Sequence, residues 1–442
     1  MNNFKDFFKN KKITVMGLGL LGRGVGDALF LAECGAKLTI TDLKPSTALR
    51  PSLRKLRKYK NIKYVLGKHK LEDFRNADMI LKSAGVPLDS PYIKEAWKNK
   101  IPIEMSATLF AKNSGIPMLG VTGSRGKSTV THLIAHILKS TGKKVVLGGN
   151  VRGISNLQLL KEVKAADMSV FELDSWQLQG FGEAGISPHV AVFATFYQDH
   201  LGYYDKDLKK YFSDKGNIFK YQKSTDTLIA GKQPFQFIKK WGGDTKGKVI
   251  IAPDKLPKGW KFNLPGSHNE YNASIAVEAA RVYHVPDTKI KKALATFTGV
   301  PGRLELIREL KGVKYYNDTT ATTPEATLAA LQALGHPMSK FKNIILIAGG
   351  SDKGLNMDSI VKEINKNCKK VILLSGTGTN RIKSKIKNNI EAKSMKEAVA
   401  KAKAQATQGD VVLLSPAFAS FGMFDNEFDR GDQFTKIVKS LK

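Results

Sequence analysis

The chain has 442 residues, 42% hydrophobic and 25% charged, with 71 Lys and Arg against 39 Asp and Glu and a formal net charge of +32. That is ordinary material for a globular chain of two or three domains, and no apolar run reaches the length of a membrane span; residues 411–424 are uncharged but short, and are broken by Pro416 and Gly422. Two cysteines, Cys34 and Cys368, are too few for a disulfide framework and suit a reducing cytoplasm.

The basic residues fall in short clusters such as 9–12, 54–60 and 381–387, without an aromatic stacking strip or a zinc-finger pattern. They read as lysine-rich solvated faces, so no nucleic-acid partner is expected, although the field favours a polyanionic small substrate. Basic residues ahead of 13–22 mimic a signal peptide, but Arg23 and the missing small-residue cleavage site oppose that.

Residues 13–16 predict a short strand that breaks into Gly17-Leu18-Gly19-Leu20-Leu21-Gly22, a G-x-G-x-x-G turn opening a helix. A second strand at 37–41 is closed by Asp42, about twenty residues beyond the last glycine, where the dinucleotide fingerprint places a carboxylate facing a ribose hydroxyl. The same turn accepts other nucleotide diphosphates. Strands at 64–67 and 79–83 follow, and a first domain is expected to end near 110.

Residues 116–121 predict a buried strand that passes through Gly123-Ser124-Arg125-Gly126-Lys127-Ser128-Thr129 into a helix. Val130, Leu133, Ile134, Ile137 and Leu138 recur at three- and four-residue spacing on one face of it. Strand, glycine turn and helix N-terminus make a phosphate cradle: backbone N–H groups face the anion, Lys127 supplies a cation, and the Ser128 or Thr129 hydroxyl is suited to Mg²⁺. Val121 stands where the first glycine of G-x-x-x-x-G-K-[ST] would be, so Gly123 and Gly126 frame a tighter loop.

A strand at 144–147 runs into Gly148-Gly149-Asn150, one at 168–173 carries Glu172 near its end, and one at 190–195 leads to Asp199-His200. A helix is predicted over 206–221 bearing Lys215, and another over 272–282 after the Pro265–Gly266 break; 298–303 reads as a linker. Strands at 343–348, 370–375 and 410–415 alternate with helices at 357–366, 395–406 and the C-terminus, a doubly wound pattern. By themselves Lys215 reads as a solvated helix lysine, His200 as either core histidine or ligand, Arg303 and Asp318 as surface charges, and Thr322, Lys353 and Ser420 as loop polarity.

The order of these motifs resembles the Mur ligases, the ATP-dependent amide-forming enzymes of peptidoglycan precursor synthesis, over essentially the whole chain. The resemblance is carried by residues 17–22, T-G-S-R-G-K-S-T-V-T at 122–131, G-G-N at 148–150, E-L-D-S-W-Q-L at 172–178 and D-H-L at 199–201. It continues through P-G-S-H-N at 265–269, G-R-L-E at 302–305, N-D-T-T-A-T at 317–322, G-G-S-D-K at 349–353, S-P-A-F-A-S at 415–420 and R-G at 430–431.

The resemblance implies an α/β chain of three domains. A Rossmann-like UDP-sugar domain would span 1–110, a P-loop ATPase-type domain 111–298 and a doubly wound amino-acid-binding domain 299–442. Gly17, Leu18, Gly19, Leu20, Gly22, Asp42 and Asn150 would then hold the UDP substrate, so the turn needs no NAD. Gly123, Ser124, Gly126, Lys127, Ser128, Thr129, Asn269, Asn272, Arg303 and Asp318 would hold ATP. Ser128, Glu172, His200 and Lys215 would serve two Mg²⁺ ions, with Lys215 carbamylated by CO₂. Thr322, Lys353 and Ser420 would meet the carboxylates of the incoming amino acid. The residues look most like the branch that joins D-glutamate to UDP-muramoyl-alanine, working as a cytoplasmic monomer; another amino acid, such as L-glutamate, is the alternative. Departures fall at Arg125, where Asn is usual, at Thr320, where some members carry Lys, and at Gly422, where Asp is usual.

Overall fold

Alternating strands and helices build three sheets in the computed structural model, which describes residues 4–20, 22–199, 202–243, 245–335 and 342–442. Residues 1–260 with 271–294 form one compact unit, and 261–270 with 295–442 a second. No helix among the described residues is long and apolar enough to cross a membrane.

The first unit contains two wholly parallel sheets. One comprises β1 (Lys12–Met16), β2 (Lys37–Asp42), β3 (Ile62–Leu66), β4 (Met79–Lys82) and β5 (Ile103–Glu104), in the order β3-β2-β1-β4-β5. Strand alternation sends Ile13, Val15, Leu38 and Ile40 to one face, under Val25, Ala28 and Leu31 of the helix Arg23–Glu33. Met16 and Ile80 point the other way, against Phe74 and the helix Pro91–Lys98. The other sheet comprises β6 (Met118–Thr122), β7 (Val145–Gly149), β8 (Met168–Glu172), β9 (Val190–Phe193), β10 (Thr227–Gly231) and β11 (Lys248–Ala252), in the order β11-β10-β9-β6-β8-β7. Chain order reverses at β6, and the carboxyl end of such a switch strand is where open α/β sheets gather ligands.

The second unit holds β12 (Glu305–Leu310), β13 (Val313–Asn317), β14 (Ile344–Gly349), β15 (Cys368–Leu374), β16 (Asn389–Ala392) and β17 (Val411–Leu414), in the order β12-β13-β17-β14-β15-β16. Ile344, Leu346 and Leu413 serve the core on one face, and Ile345, Ile347 and Leu414 that on the other. This sheet differs from the expected doubly wound pattern at its edge, where β12 pairs antiparallel with β13. The hairpin turns at Lys311 and Gly312, both at positive φ (52° and 74°), the geometry a tight two-residue hairpin requires.

Two helix boundaries also differ from the sequence reading. The helix expected at 206–221 is Leu208–Gly216, because Asp205 and Lys206 adopt positive φ (50° and 62°) and Asp207 caps the first turn through Lys209 and Lys210 N–H. The helix expected from 272 begins at Ser267, directly after the Pro265–Gly266 break. Both cysteines are free and buried.

Candidate active site

The chain leaves β6 through Gly123 and enters the helix Lys127–Ser140, whose N-cap is Gly126 in the left-handed region (φ 83°) with no side-chain cap. A Cβ at 126 would lie 2.4 Å from Asn272 Oδ1, so the loop turns against that side chain as only glycine permits. An uncapped N-terminus presents its first N–H groups to an anion. The loop is pinned from the segment that follows β9: Ser124 N–H donates to Thr195 O (2.8 Å), Arg125 N–H to Thr195 Oγ1 (2.8 Å), and Ser124 Oγ to Tyr197 O (2.9 Å). Lys127 Nζ reaches back across the loop to Gly123 O at 2.9 Å and Ser124 O at 3.4 Å. Ser128 and Thr129 are buried at its base. Arg125 pairs with Asp199 at 3.1 Å in a partly exposed bridge, which accounts for the charge in this loop.

Lys215 is not a solvated helix lysine: it is 1% exposed. Its Nζ donates to Gly123 O at 3.0 Å and lies 4.9 Å from the Tyr211 ring centroid. Burial holds its amine well below the ordinary lysine range, and the Lys127 ammonium pushes it further down. Asp174, Asp199 and Glu172 pull the other way. Glu172, 3% exposed, ends β8 beside β6, paired with Val121. Lys127, Glu172 and Lys215 are thereby gathered around the carboxyl ends of β6 and β8. His200 lies outside the described residues.

Asn150 joins this group through the backbone, donating its N–H to Glu172 O at 2.7 Å. The preceding Gly149 (φ 87°) passes so close to β8 that a Cβ would meet Glu172 O at 2.0 Å. Asn150 Oδ1 also accepts from Arg23 Nη1, which opens the helix after the glycine turn. The turn and Asn150 are thus adjacent, and Arg23 is a residue that motif reading passed over. Asp42 sits beneath the turn, 5% exposed: Oδ2 accepts from Leu18 and Gly19 N–H (2.9 and 3.0 Å), and Oδ1 from Lys44 N–H (2.8 Å). Its carboxylate shapes the turn from below, a role the fingerprint spacing does not reveal. Leu20 is exposed at the turn's outer edge.

In the second unit, Lys353 Nζ donates to Thr322 Oγ1 at 3.0 Å. Burial lowers the Lys353 amine, with Glu427 opposing. Ser420 is buried and follows Ala419, which exchanges backbone hydrogen bonds with Ser351 (2.9 and 3.2 Å). Arg430, fully buried, ties the two turns together: Nε and Nη2 donate to Thr319 Oγ1 (3.1 Å) and O (2.8 Å), and Nη1 to Phe418 O (3.2 Å). Asn269 Nδ2 donates to Pro265 O at 2.7 Å, and Arg303 N–H to Val300 O at 3.0 Å.

Asp318 is not a surface charge. It is 7% exposed, and burial pushes its carboxyl up to about 7 against hydrogen bonds from Ser415 Oγ (2.8 Å) and Leu304 N–H (3.1 Å). Between pH 4 and 7 the folded state therefore holds a proton that an unfolded Asp has released, so stability falls as pH rises through that window and stays low above it. Asp318→Asn keeps the shape and the acceptor for Leu304 while removing the buried charge. It is expected to stabilise the protein at pH 8 by on the order of 1–3 kcal/mol and to flatten the pH dependence. Thermal denaturation from pH 4 to 8 checks this; parallel profiles for the two proteins would contradict it.

Comparison with known proteins bears on all three sheets. Residues 11–104 match the family described as Mur ligase MurD-like, N-terminal domain, residues 121–255 the Mur ligase middle domain, and residues 302–418 the Mur ligase glutamate ligase domain. The chain is 37% identical to the UDP-N-acetylmuramoylalanine–D-glutamate ligase of Roseiflexus sp. (strain RS-1), covering 98% of this chain and 99% of that one. It is 34% identical to the enzyme of the same name from Streptococcus pneumoniae, covering 99% of each. Among solved structures, UDP-N-acetylmuramate-alanine ligase MurC from Thermotoga maritima shares the fold with a TM-score of 0.62 at 19% identity, covering 98% of this chain and 100% of that one. MurF from Thermotoga maritima, solved in complex with ADP, aligns with a TM-score of 0.59 at 18% identity, covering 98% and 96%. Three matched segments in sequence order and end-to-end relatives place the chain in one group: it belongs to the Mur ligase family.

Proposed function

We propose that this protein uses ATP to join D-glutamate to UDP-N-acetylmuramoyl-L-alanine, a step in building peptidoglycan precursors. The observation that carries the reading is the gathering of Lys127, Glu172 and Lys215 around the uncapped helix at the end of β6, with Asn150 linking that centre to the glycine turn. Gly17, Leu18, Gly19, Leu20, Gly22, Asp42 and Asn150 form the UDP-sugar site. Gly123, Ser124, Gly126, Lys127, Ser128, Thr129 and Asn272 receive the triphosphate. On the second unit, Asn269, Arg303 and Asp318 are nucleotide contacts, and Thr322, Lys353 and Ser420 take the amino-acid carboxylates. We retain domain limits of 1–110, 111–298 and 299–442, and a cytoplasmic monomer.

A carboxylate is a poor electrophile until one oxygen carries phosphate. The substrate carboxylate attacks the γ-phosphorus, ADP leaves, and an acyl phosphate forms. The amine then attacks the acyl carbon, loses a proton, and the tetrahedral adduct expels phosphate. Bringing one anion against another is the obstacle, which the Lys127 ammonium and the helix N-terminus relieve by meeting charge as it develops. The Glu172 carboxylate and Ser128 hydroxyl are hard oxygen donors fitted to Mg²⁺, which supplies phosphate neutralisation when bound. Lys215, buried with a depressed amine, is the proposed carbamate: the neutral nitrogen adds to CO₂, an N–C bond forms and one proton is released, leaving an oxygen anion in place of a neutral amine.

Phosphate release measured with UDP-muramoyl-alanine and a panel of D- and L-amino acids tests the reading. Turnover is expected with D-glutamate; release with L-glutamate instead would select the alternative acceptor. Glu172→Gln is expected to raise the Mg²⁺ concentration for half-maximal rate by about tenfold, with a smaller change in the KM for the amino acid. An unaltered Mg²⁺ requirement would make Glu172 structural.

A further inference from the structure

The amino-acid site proposed at Thr322, Lys353 and Ser420 is built on three turns at the carboxyl ends of neighbouring strands. Residues 318–322 follow β13, 415–420 follow β17 and 350–353 follow β14, and β17 pairs with both of the other strands. The first two turns meet directly, where Ala417 N–H donates to Ala321 O at 2.9 Å. Behind them runs the first turn of the C-terminal helix Glu427–Ser440, capped by Asn426. Thr319 Oγ1 donates to Glu427 O at 2.6 Å, and Asn317 Nδ2 to Gly431 O at 3.2 Å. A Cβ at 431 would lie 2.5 Å from Thr319 Cγ2, so helix and turn touch with no room for a side chain between them.

Arg430 enters from this helix, fully buried, and its guanidinium meets the Thr319 hydroxyl and the carbonyls of Thr319 and Phe418, none of them an anion. A buried charge without a counter-ion is costly, and a neutral side chain could tie two turns together without that penalty. Burial lowers the guanidinium from its usual range to about 10, with Glu427 opposing, so it stays charged at neutral pH. Glu427 and Arg430 act in opposite directions on the Lys353 amine, which places all three in one field. Asp352, next to Lys353, is already paired with Arg381 at 2.9 Å. Two cations thus share one acid, leaving a positive excess. An amino acid with a second carboxylate is negative overall, whereas its side-chain amide is neutral.

We propose, on the basis of that amino-acid site, that Arg430 is its positioning residue and that the buried charge makes the site prefer an amino acid with a second carboxylate. The fork holds the turns carrying Thr322 and Ser420, and the charge beneath them is compensated when the dicarboxylate arrives.

Phosphate release with UDP-muramoyl-alanine, ATP and either D-glutamate or D-glutamine tests this on the full chain as wild type, Arg430→Met and Arg430→Lys. Methionine keeps apolar bulk and loses the charge. The KM for D-glutamate is expected to rise by at least about tenfold, with the KM values for ATP and the UDP substrate unchanged, and the preference for glutamate over glutamine to fall by a similar factor. In Arg430→Lys a buried amine loses its proton far more readily than a guanidinium. The preference should therefore be kept at about pH 6.5 and lost by about pH 9, while wild type holds it throughout. The other charged groups nearby, Lys353, Asp318, Glu427 and Asp429, are common to both proteins, so wild type is the control for them. If Arg430→Met lacks a cooperative melt, the pH series on Arg430→Lys decides alone. Melting temperature with glutarate or its monoamide reads the same charge without turnover: glutarate alone should raise it in wild type, and neither in Arg430→Met. A protein protected by glutarate that releases no phosphate loses the ligase reading and keeps the charged site. A loss shared equally by glutamate and glutamine in Arg430→Met, equal protection of wild type by glutarate and its monoamide, or an undiminished preference in Arg430→Lys at pH 9 would overturn the proposal and leave Arg430 a tie between turns.

Discussion

Lys127→Ala is expected to lower the maximal rate of phosphate release by on the order of 10³, the scale of losing a preorganised charge at developing phosphate charge. The side chain spans the loop from helix to strand, with its ammonium on Gly123 O and Ser124 O. That position puts the cation over the cradle formed by the uncapped helix, where a β- or γ-phosphate oxygen would replace the carbonyls as its partner. The fold should survive, because the loop is held independently by Thr195 and by the Asn272 contact beneath Gly126. A second effect follows from Lys215. The Lys127 ammonium is one cause of its depressed amine, so removing that charge lets Lys215 hold a proton more readily and carbamylate less. Added bicarbonate should therefore recover part of the lost rate, but not the part owed to the phosphate contact. Near-normal turnover by a folded Lys127→Ala protein would end the phosphate-cradle reading of this loop.

The glycine motifs were legible because each is a local backbone requirement. Gly17–Gly22 and Gly123–Gly126 announce positive φ and close approach, and the strands before them are short apolar runs with both faces buried. The edge strands β11 and β12 were not. β11 reads K-V-I-I-A with a largely half-exposed face, and β12 reads E-L-I-R-E-L with mixed exposure, so neither shows the apolar contrast of a central strand. Lys215 had a signal that composition masked: Tyr211, Phe212, Lys215 and Gly216 are all buried at three- and four-residue spacing, so the lysine occupies the apolar face of its helix. Asp318 could not be assigned from its neighbours, since its burial depends on Ser415 and Leu304, brought in from elsewhere in the chain. Asp42 was found by spacing yet serves the turn's own amides, a distinction that only side-chain geometry makes.

Lys215→Ala is expected to be nearly inactive, and to regain part of its activity when formate or acetate is added. The argument begins with burial. At 1% exposure, beside Lys127, an ammonium at this position is strongly disfavoured, so the amine is neutral at a pH where ordinary lysines are charged. A neutral amine is the form that adds to CO₂, and the carbamate it would give places an anion, in exchange for a neutral group, next to the Lys127 ammonium. Truncation to alanine removes the anion and leaves a space near Gly123 and Tyr211 that a small carboxylate can enter. Lys215→Arg should show no such rescue, because the guanidinium stays charged and fills the space. Both variants need a melting profile, since loss of the Gly123 hydrogen bond alone can loosen the helix Leu208–Gly216. Carbon-13 NMR of the wild-type protein in labelled bicarbonate supplies the readout that is independent of rate: a carbamate signal is expected, and it should be missing from Lys215→Ala. A folded Lys215→Ala protein with wild-type turnover, or a wild-type spectrum without that signal, would return Lys215 to the core as a buried neutral amine that only supports the loop.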